Sequence, residues 1–356
     1  MILLFRIKLT KSYLDFAVPL WYCVANIRAI ILGYNIVSSK LKEIHMTTQT
    51  LLTEWLETYE KEHIKSRTYS RYQGLITAHI NPTLGKQNIE DLSRRDIQEF
   101  LSQQKAEGNI RSGGGKLSAT SANLMLTVLN LAFEYACDME LLQQNPCERI
   151  RRSREDSKKI EAFTKDEQRK IENAIMGSDD TRLFGILLCL YTGVRIGELL
   201  GLEWADVDLQ RGFICINKTV YRDKDESGEW QLIVDKPKTT SSDRIIPLPT
   251  YITQMLIGRK ETAKSDYVVE NKKGDRMSIR SYQYMFEKLT ERAGVRKLNF
   301  HALRHTFATR AIECGMDIKT LSEIMGHKNA SITLNRYAHS MMDTKIEMMN
   351  RLPKNF

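Results

Sequence analysis

Residues 149–159 read RIRRSREDSKK, six basic side chains (Arg149, Arg151, Arg152, Arg154, Lys158 and Lys159) against two acids, with no apolar stripe beyond Ile150. A stretch of this kind supplies no face to a hydrophobic core, so it divides the chain into parts that each bury their own. The length of 356 residues agrees, because single cores stop growing beyond about 250–300 residues. We therefore expect two domains, 46–148 and 160–352, joined by a basic linker at 149–159. The linker is either a solvated charge run or a segment that lies along a phosphate backbone.

Residues 1–45 differ from the rest and form an unassigned extension. Their apolar run from Tyr13 to Val37 is broken by Asp15, Pro19 and Arg28, short of the ~20 apolar residues of a spanning helix. The basic residues Arg6, Lys8 and Lys11 follow an already apolar MILLF, the reverse of a secretory signal. Two readings stay open, an accessory helix pair or a leader translated upstream of a start at Met46.

From Met46 the apolar residues recur at helical steps. Leu51, Leu52, Trp55, Leu56 and Tyr59 mark a first helix, and Ser66 to Ile80 a second that Asn81-Pro82 should stop. Ser93, with Asp96 three residues on, should cap a third helix to about Lys105. A fourth, about Ser118 to Ala136, should bury Leu124, Leu126, Leu129, Leu131, Ala132 and Tyr135. The RSGGGK turn at 111–116 is no phosphate loop, since Leu117 follows Lys116 where Ser or Thr is needed and no strand precedes it.

Beyond the linker, Thr164 and Glu167 fit a capping box for a helix using Ile171 and Ile175. An apolar helix, Leu183 to Tyr191, should stop at Gly193 and leave Arg195 at the turn into the next short helix. Glu198, three residues on, can fix the Arg195 guanidinium or form a plain surface ion pair with it. Phe213 to Ile216, Trp230 to Val234 and Ile245 to Leu248 read as three short strands of one antiparallel sheet, with Lys236 to Ser242 as a polar hairpin loop. Helices return at Thr250 to Gly258, Ile279 to Ala293 and beyond. The fold class is mainly α with a small antiparallel β-sheet.

Four of the seven histidines, His301, His305, His327 and His339, fall within residues 299–339 beside Arg304, Arg310, Arg336 and Tyr337. His301 and Arg304 share a helix face. His301 and His305 have metal-ligand spacing, but Ala302 stands where a zinc-protease helix needs Glu, and no carboxylate or Cys lies nearby at ligand spacing. No metal is expected, and His305 reads as a hydrogen-bonded core residue. The six cysteines are scattered, as reduced thiols in a cytosolic protein are. The formal charge of +9 suits a polyanionic partner or a merely solvated basic surface.

In order and spacing, Arg195 in TGVRIGELLGL, Lys238 in KPKTTSSDRIIPL, His301 and Arg304 in HALRH, His327 after Gly326, and Tyr337 in NRYAH resemble the signature of the tyrosine recombinases. The KPKT loop with RIIPLP and the GEW strand look most like integrases of phages and conjugative elements. The resemblance runs from Met46 to Leu352, and it implies a helical core-DNA-binding domain followed by an α+β catalytic domain. It implies that Tyr337 attacks a DNA phosphodiester to give a 3′-phosphotyrosyl intermediate. Arg195, Arg304 and His327 would hold the non-bridging oxygens, Lys238 would protonate the leaving 5′-oxygen, and His301 would help deprotonate the tyrosine. Glu198 would steady Arg195 from behind.

No metal, ATP or other cofactor is then required. The implied partners are double-stranded DNA, further copies of the chain in a homotetramer, and accessory or excision proteins, with no membrane; the implied place is the cytoplasm, at the nucleoid. Residues 1–45 do not look like the arm-site domain of such integrases. The apolar face of Ser340 to Arg351 (Met341, Met342, Ile346 and Met349) could dock on a neighbouring subunit or on its own domain. Two other readings compete. A type IB topoisomerase shares the covalent step, but the small helical domain and the chain length weigh against it. A DNA-binding protein without catalysis would lack a catalytic residue, and none is missing.

Overall fold

A computed structural model describes residues 46–109, 113–154, 161–224, 229–235, 243–327, 329–337, 346 and 349–350. The expectations for residues 1–45, for Lys238 and its loop, and for most of Ser340 to Arg351 lie outside the described residues. The chain divides between Glu155 and Asp156 into two compact units.

The first unit is helical. Helix α1 (Thr48–Glu54) opens where Thr47 Oγ1 accepts from the Thr50 amide, and it runs into a π-helical turn, Trp55–Glu60. Helix α2 (Ser66–Leu75) likewise passes into a π-helical turn, Ile76–Ile80, and then into α3 (Asn81–Leu84). Asn81-Pro82 therefore does not stop the second helix. Pro82 sits in the first turn of a new α segment, after a π turn that has already interrupted the i→i−4 ladder, so its ring displaces no helical bond. Helix α4 (Arg94–Glu107) carries the expected capping box, with the Ser93 amide donating to Asp96 Oδ2 at 2.8 Å.

Helix α5 (Ala119–Asp138) is the spine of this unit. It buries Leu126, Leu129, Ala132 and Tyr135 as expected, together with Met125, Val128 and Phe133, while Leu124 and Leu131 are only half-buried. Around it pack Leu51, Leu52, Trp55, Ile80, Ile97 and Phe100. The start of the basic stretch is not a free linker. Ser153 exchanges two hydrogen bonds of 2.9 Å with the Asn123 side chain, and Arg152 Nη2 donates to Thr127 Oγ1 at 3.2 Å.

The second unit begins with α6 (Lys165–Met176), opened by the Thr164–Glu167 capping box. Helix α7 (Phe184–Thr192) is apolar on all sides and almost wholly buried, as a central helix must be. Helix α8 (Ile196–Gly201) follows. Strands β1 (Val207–Asp208), β2 (Phe213–Ile216), β3 (Thr219–Lys224), β4 (Trp230–Asp235) and β5 (Arg244–Pro247) form two antiparallel sheets, β1-β2-β5 and β3-β4. Ile214 pairs with Ile246, and Val220 with Val234.

The single sheet expected from the sequence is thus corrected. β4 pairs with β3, whose TVYRDK sequence carries too many polar residues to signal a strand, and not with β2. β4 and β5 therefore belong to different sheets.

Helices α9 (Thr250–Glu261), α10 (Ile279–Arg292), α11 (His301–Glu313), α12 (Ile318–Met325) and α13 (Ala330–Tyr337) complete the unit. Phe163, Tyr282, Phe286 and Phe300 form a chain of aromatic contacts at its centre, with ring centroids 5.2–6.2 Å apart. Tyr282 donates its hydroxyl to the Arg182 carbonyl at 2.9 Å, which satisfies the one polar atom this fully buried ring brings inside. Among the described residues no helix is long and apolar enough to cross a membrane.

Candidate active site

Helix α7 ends because Gly193 takes the left-handed conformation, φ 65°. A Cβ there would lie 2.5 Å from Phe307 Cδ1, so Gly193→Ala meets both backbone strain and a packed ring. We expect it to lower stability by roughly 2 kcal/mol or more, read as a shift in the urea midpoint. The turn leaves Arg195 as the residue that opens α8. Glu198 sits in the first turn, where a carboxylate suits the helix dipole. Its Oε2 accepts from the Arg195 amide at 2.9 Å and its Oε1 from Arg195 Nη1 at 2.7 Å.

Glu198 is only 5% exposed, and a second guanidinium grips it. Arg244, the first residue of β5, donates Nη2 to Oε2 at 2.9 Å and Nη1 to Oε1 at 3.2 Å. Burial pushes the Glu198 carboxyl up, but the Arg244 hydrogen bond and the charges of Arg244 and Arg195 outweigh it and hold the pKa at about 2. The carboxylate is therefore ionised throughout the neutral range.

Helix α12 supplies the other half. Asp317 caps its start, accepting from the Thr320 amide, and Gly326 (φ 62°) closes its end. The Gly326 amide donates to the Glu323 carbonyl and the His327 amide to the Ser322 carbonyl, both at 3.0 Å, a Schellman closure. The last carbonyls of this helix face three guanidiniums. Arg244 Nε donates to the Ile324 carbonyl at 2.6 Å, Arg304 Nη2 to Met325 at 2.6 Å, and Arg195 Nη2 to Gly326 at 3.3 Å. Cations belong at the negative end of a helix.

Arg304, from the first turn of α11, is 2% exposed and also donates Nη1 to the Gly193 carbonyl at 2.7 Å. It thus ties the end of α7 to the end of α12. Arg195 keeps more than a third of its side chain in solvent.

His327 follows Gly326 directly, and its Nδ1 lies 2.7 Å from the hydroxyl of the fully buried Thr333 on α13. Thr333 precedes Tyr337 by four residues on the same helix. Tyr337 is the last residue of α13; its side chain lies outside the described residues. His301 opens α11, is exposed, and with Arg304, Val194, Ile196 and Asn299 lines a cavity of about 220 Å³. His305 is half-buried and not a core residue; its ring meets that of His301 edge-on at 4.7 Å. Among the described residues no group of three or more His, Cys, Asp or Glu could hold a metal.

The structure thus brings Arg195, Glu198, Arg304 and His327 together around the end of α12, with His301 beside Arg304. It adds two residues that the sequence did not single out, Arg244 and Thr333. An arginine opening an otherwise apolar strand was the available signal for the first; nothing local marked the second. Chemically, the arrangement presents fixed positive charge and imidazole groups to an anion, held by hydrogen bonds made before any ligand arrives.

Residues 153–344 match the phage integrase family, and residues 47–103 match the phage integrase N-terminal SAM-like domain. A XerC-like tyrosine recombinase of Caldanaerobacter subterraneus subsp. tengcongensis is 29% identical over 342 residues, covering 86% of this chain and 83% of that protein. The transposase from transposon Tn916 of Enterococcus faecalis is 27% identical over 315 residues, covering 83% and 75%. Among solved structures, the Tn1549 transposon integrase in complex with transposon right end DNA superposes with a TM-score of 0.72 at 26% identity, covering 86% of this chain and 99% of that one. A lambda integrase tetramer bound to a Holliday junction gives a TM-score of 0.61 at 21% identity over 86% and 88%, a likeness of fold. With the catalytic-domain match alone spanning more than half of its length, this chain belongs to the phage integrase family.

Proposed function

We propose that this protein is a site-specific DNA recombinase that integrates or excises a mobile element or prophage. The observation that carries the reading is the convergence of Arg195, Arg304 and His327 on the end of α12, one short helix away from Tyr337. Residues 46–148 would bind the core site and residues 160–352 would carry the chemistry.

In the proposed reaction Tyr337 Oη attacks the scissile phosphorus and the bond to the 5′-oxygen breaks, leaving a 3′-phosphotyrosyl link. Arg195, Arg304 and His327 bind the non-bridging oxygens as negative charge grows on them. His301 assists removal of the phenolic proton, and Lys238 delivers a proton to the departing 5′-oxygen. A phenol of pKa ~10 is a poor nucleophile unaided, which is why a base and a cationic phosphate site are both needed. Attack by the 5′-hydroxyl of a partner strand reverses the step and exchanges strands. Because the bond energy is conserved in the phosphotyrosyl link, no ATP is consumed.

Two duplexes must be cut, so a homotetramer on double-stranded DNA is the assembly proposed, in the cytoplasm and with excision proteins as accessory partners. Ile346 and Met349, both more than half exposed, fit the use of the C-terminal segment as a docking element between copies. The test is a plasmid bearing two copies of the attachment site taken from the ends of the element that carries the gene. Recombinant junctions with the crossover inside the site are expected; relaxation of supercoils without exchange would instead indicate a topoisomerase.

A further inference from the structure

Arg244 has no part in the chemistry proposed above, yet its side chain, 6% exposed, is committed to partners within this site. Its fork grips both oxygens of Glu198, and its Nε holds the Ile324 carbonyl. It also lies flat against Gly326, where a Cβ would stand 3.0 Å from Nη1 and 3.2 Å from Cδ and Cζ. One side chain therefore joins β5, the first turn of α8 and the closing turn of α12.

Arg195 depends on both groups that Arg244 fixes. Glu198 is its close partner at 2.7 Å, and the Gly326 carbonyl, two residues beyond the Ile324 carbonyl, is its longer one at 3.3 Å. Charge adds a second dependence. Two guanidiniums around one carboxylate leave a net positive cluster, whereas Arg195 and Glu198 alone would cancel. We propose that Arg244 is a positioning residue for strand cleavage, acting through Glu198 and the end of α12 to fix Arg195 and to keep its charge available to the scissile phosphate. The inference rests on the recombinase reading above.

Arg244→Met removes both the fork and the charge; Arg244→Lys keeps the charge and loses the fork, and is the variant to use should the first fail to fold. The measurement is single-turnover cleavage of a nicked attachment site by the full chain, alongside the affinity for the same DNA. Arg244→Met should cleave about 100-fold more slowly and Arg244→Lys about 10-fold more slowly, with affinity within about 3-fold of wild type. In the Arg195→Ala background either substitution should cost no more than about 3-fold, because the residue it acts through is gone.

A neutral methylphosphonate at the scissile position offers no such anion to the clamp, and on it the Arg244→Met deficit should shrink to less than about 5-fold. Losses that multiply in the double variant, or a deficit of the same size on the methylphosphonate, would overturn the proposal and leave Arg244 a structural residue. A wild-type protein that forms no covalent adduct would instead overturn the recombinase reading on which it stands.

Discussion

Arg304→Ala should reduce strand cleavage by three or more orders of magnitude, the scale expected when a phosphate clamp worth about 4 kcal/mol or more is removed. Two losses combine. The guanidinium that would meet the scissile phosphate disappears, and the carbonyls of Gly193 and Met325 lose their donors at 2.7 and 2.6 Å in a site only 2% exposed. Each abandoned buried carbonyl costs about 1–3 kcal/mol, so the urea midpoint should fall as well. Arg304→Lys separates the two effects poorly, since an ammonium cannot span both carbonyls as a fork does. Cleavage within 10-fold of wild type in Arg304→Ala would remove this residue from the clamp.

Glu198→Gln should be the second large effect, and its signature is a pH dependence. The folded-state pKa of Glu198 lies at about 2, below the ordinary value of 4.5, because Arg244 and Arg195 outweigh the opposing push of burial. A carboxyl depressed in this way contributes about 3 kcal/mol above the unfolded pKa, and the contribution is lost as pH falls through the folded one. Wild-type stability should therefore decline from about pH 4.5 towards pH 2 by an amount that the Gln variant has already lost at pH 7. Urea midpoints of the two proteins should converge on acidification. Parallel curves would mean that the carboxylate is not held between the arginines.

Helix ends were the most legible part of the fold, because capping is chemistry between residues a few positions apart. Ser93 with Asp96, Thr164 with Glu167, and Gly193 as a helix stop are all read from a few residues, and they stand where the structure places helix boundaries. What escaped was set by distant partners or by irregular turns. Thr219–Lys224 becomes a strand through pairing with Trp230–Asp235 and not through its own composition. Asn81-Pro82 was masked as a continuation by the π turn before it.

The site divides the same way. The Arg195–Glu198 and His301–Arg304 spacings are local, so their shared faces could be read in advance. The contacts that hold Arg304 are to backbone carbonyls 111 and 21 positions away, and Arg244 reaches Glu198 across 46. No periodicity encodes such contacts, since a carbonyl has no residue type.

The central claim is that Tyr337 is the nucleophile, and the most direct measurement is to locate the covalent bond. A duplex carrying the attachment site, nicked opposite the cleavage point so that religation fails, should trap an adduct with the wild-type chain. After nuclease and protease digestion, mass spectrometry should find the nucleotide on the peptide containing Tyr337, linked through a 3′-phosphate. Tyr337→Phe should bind the same duplex and form no adduct. An adduct on any other residue, a 5′ linkage, or an adduct persisting in Tyr337→Phe would contradict the account.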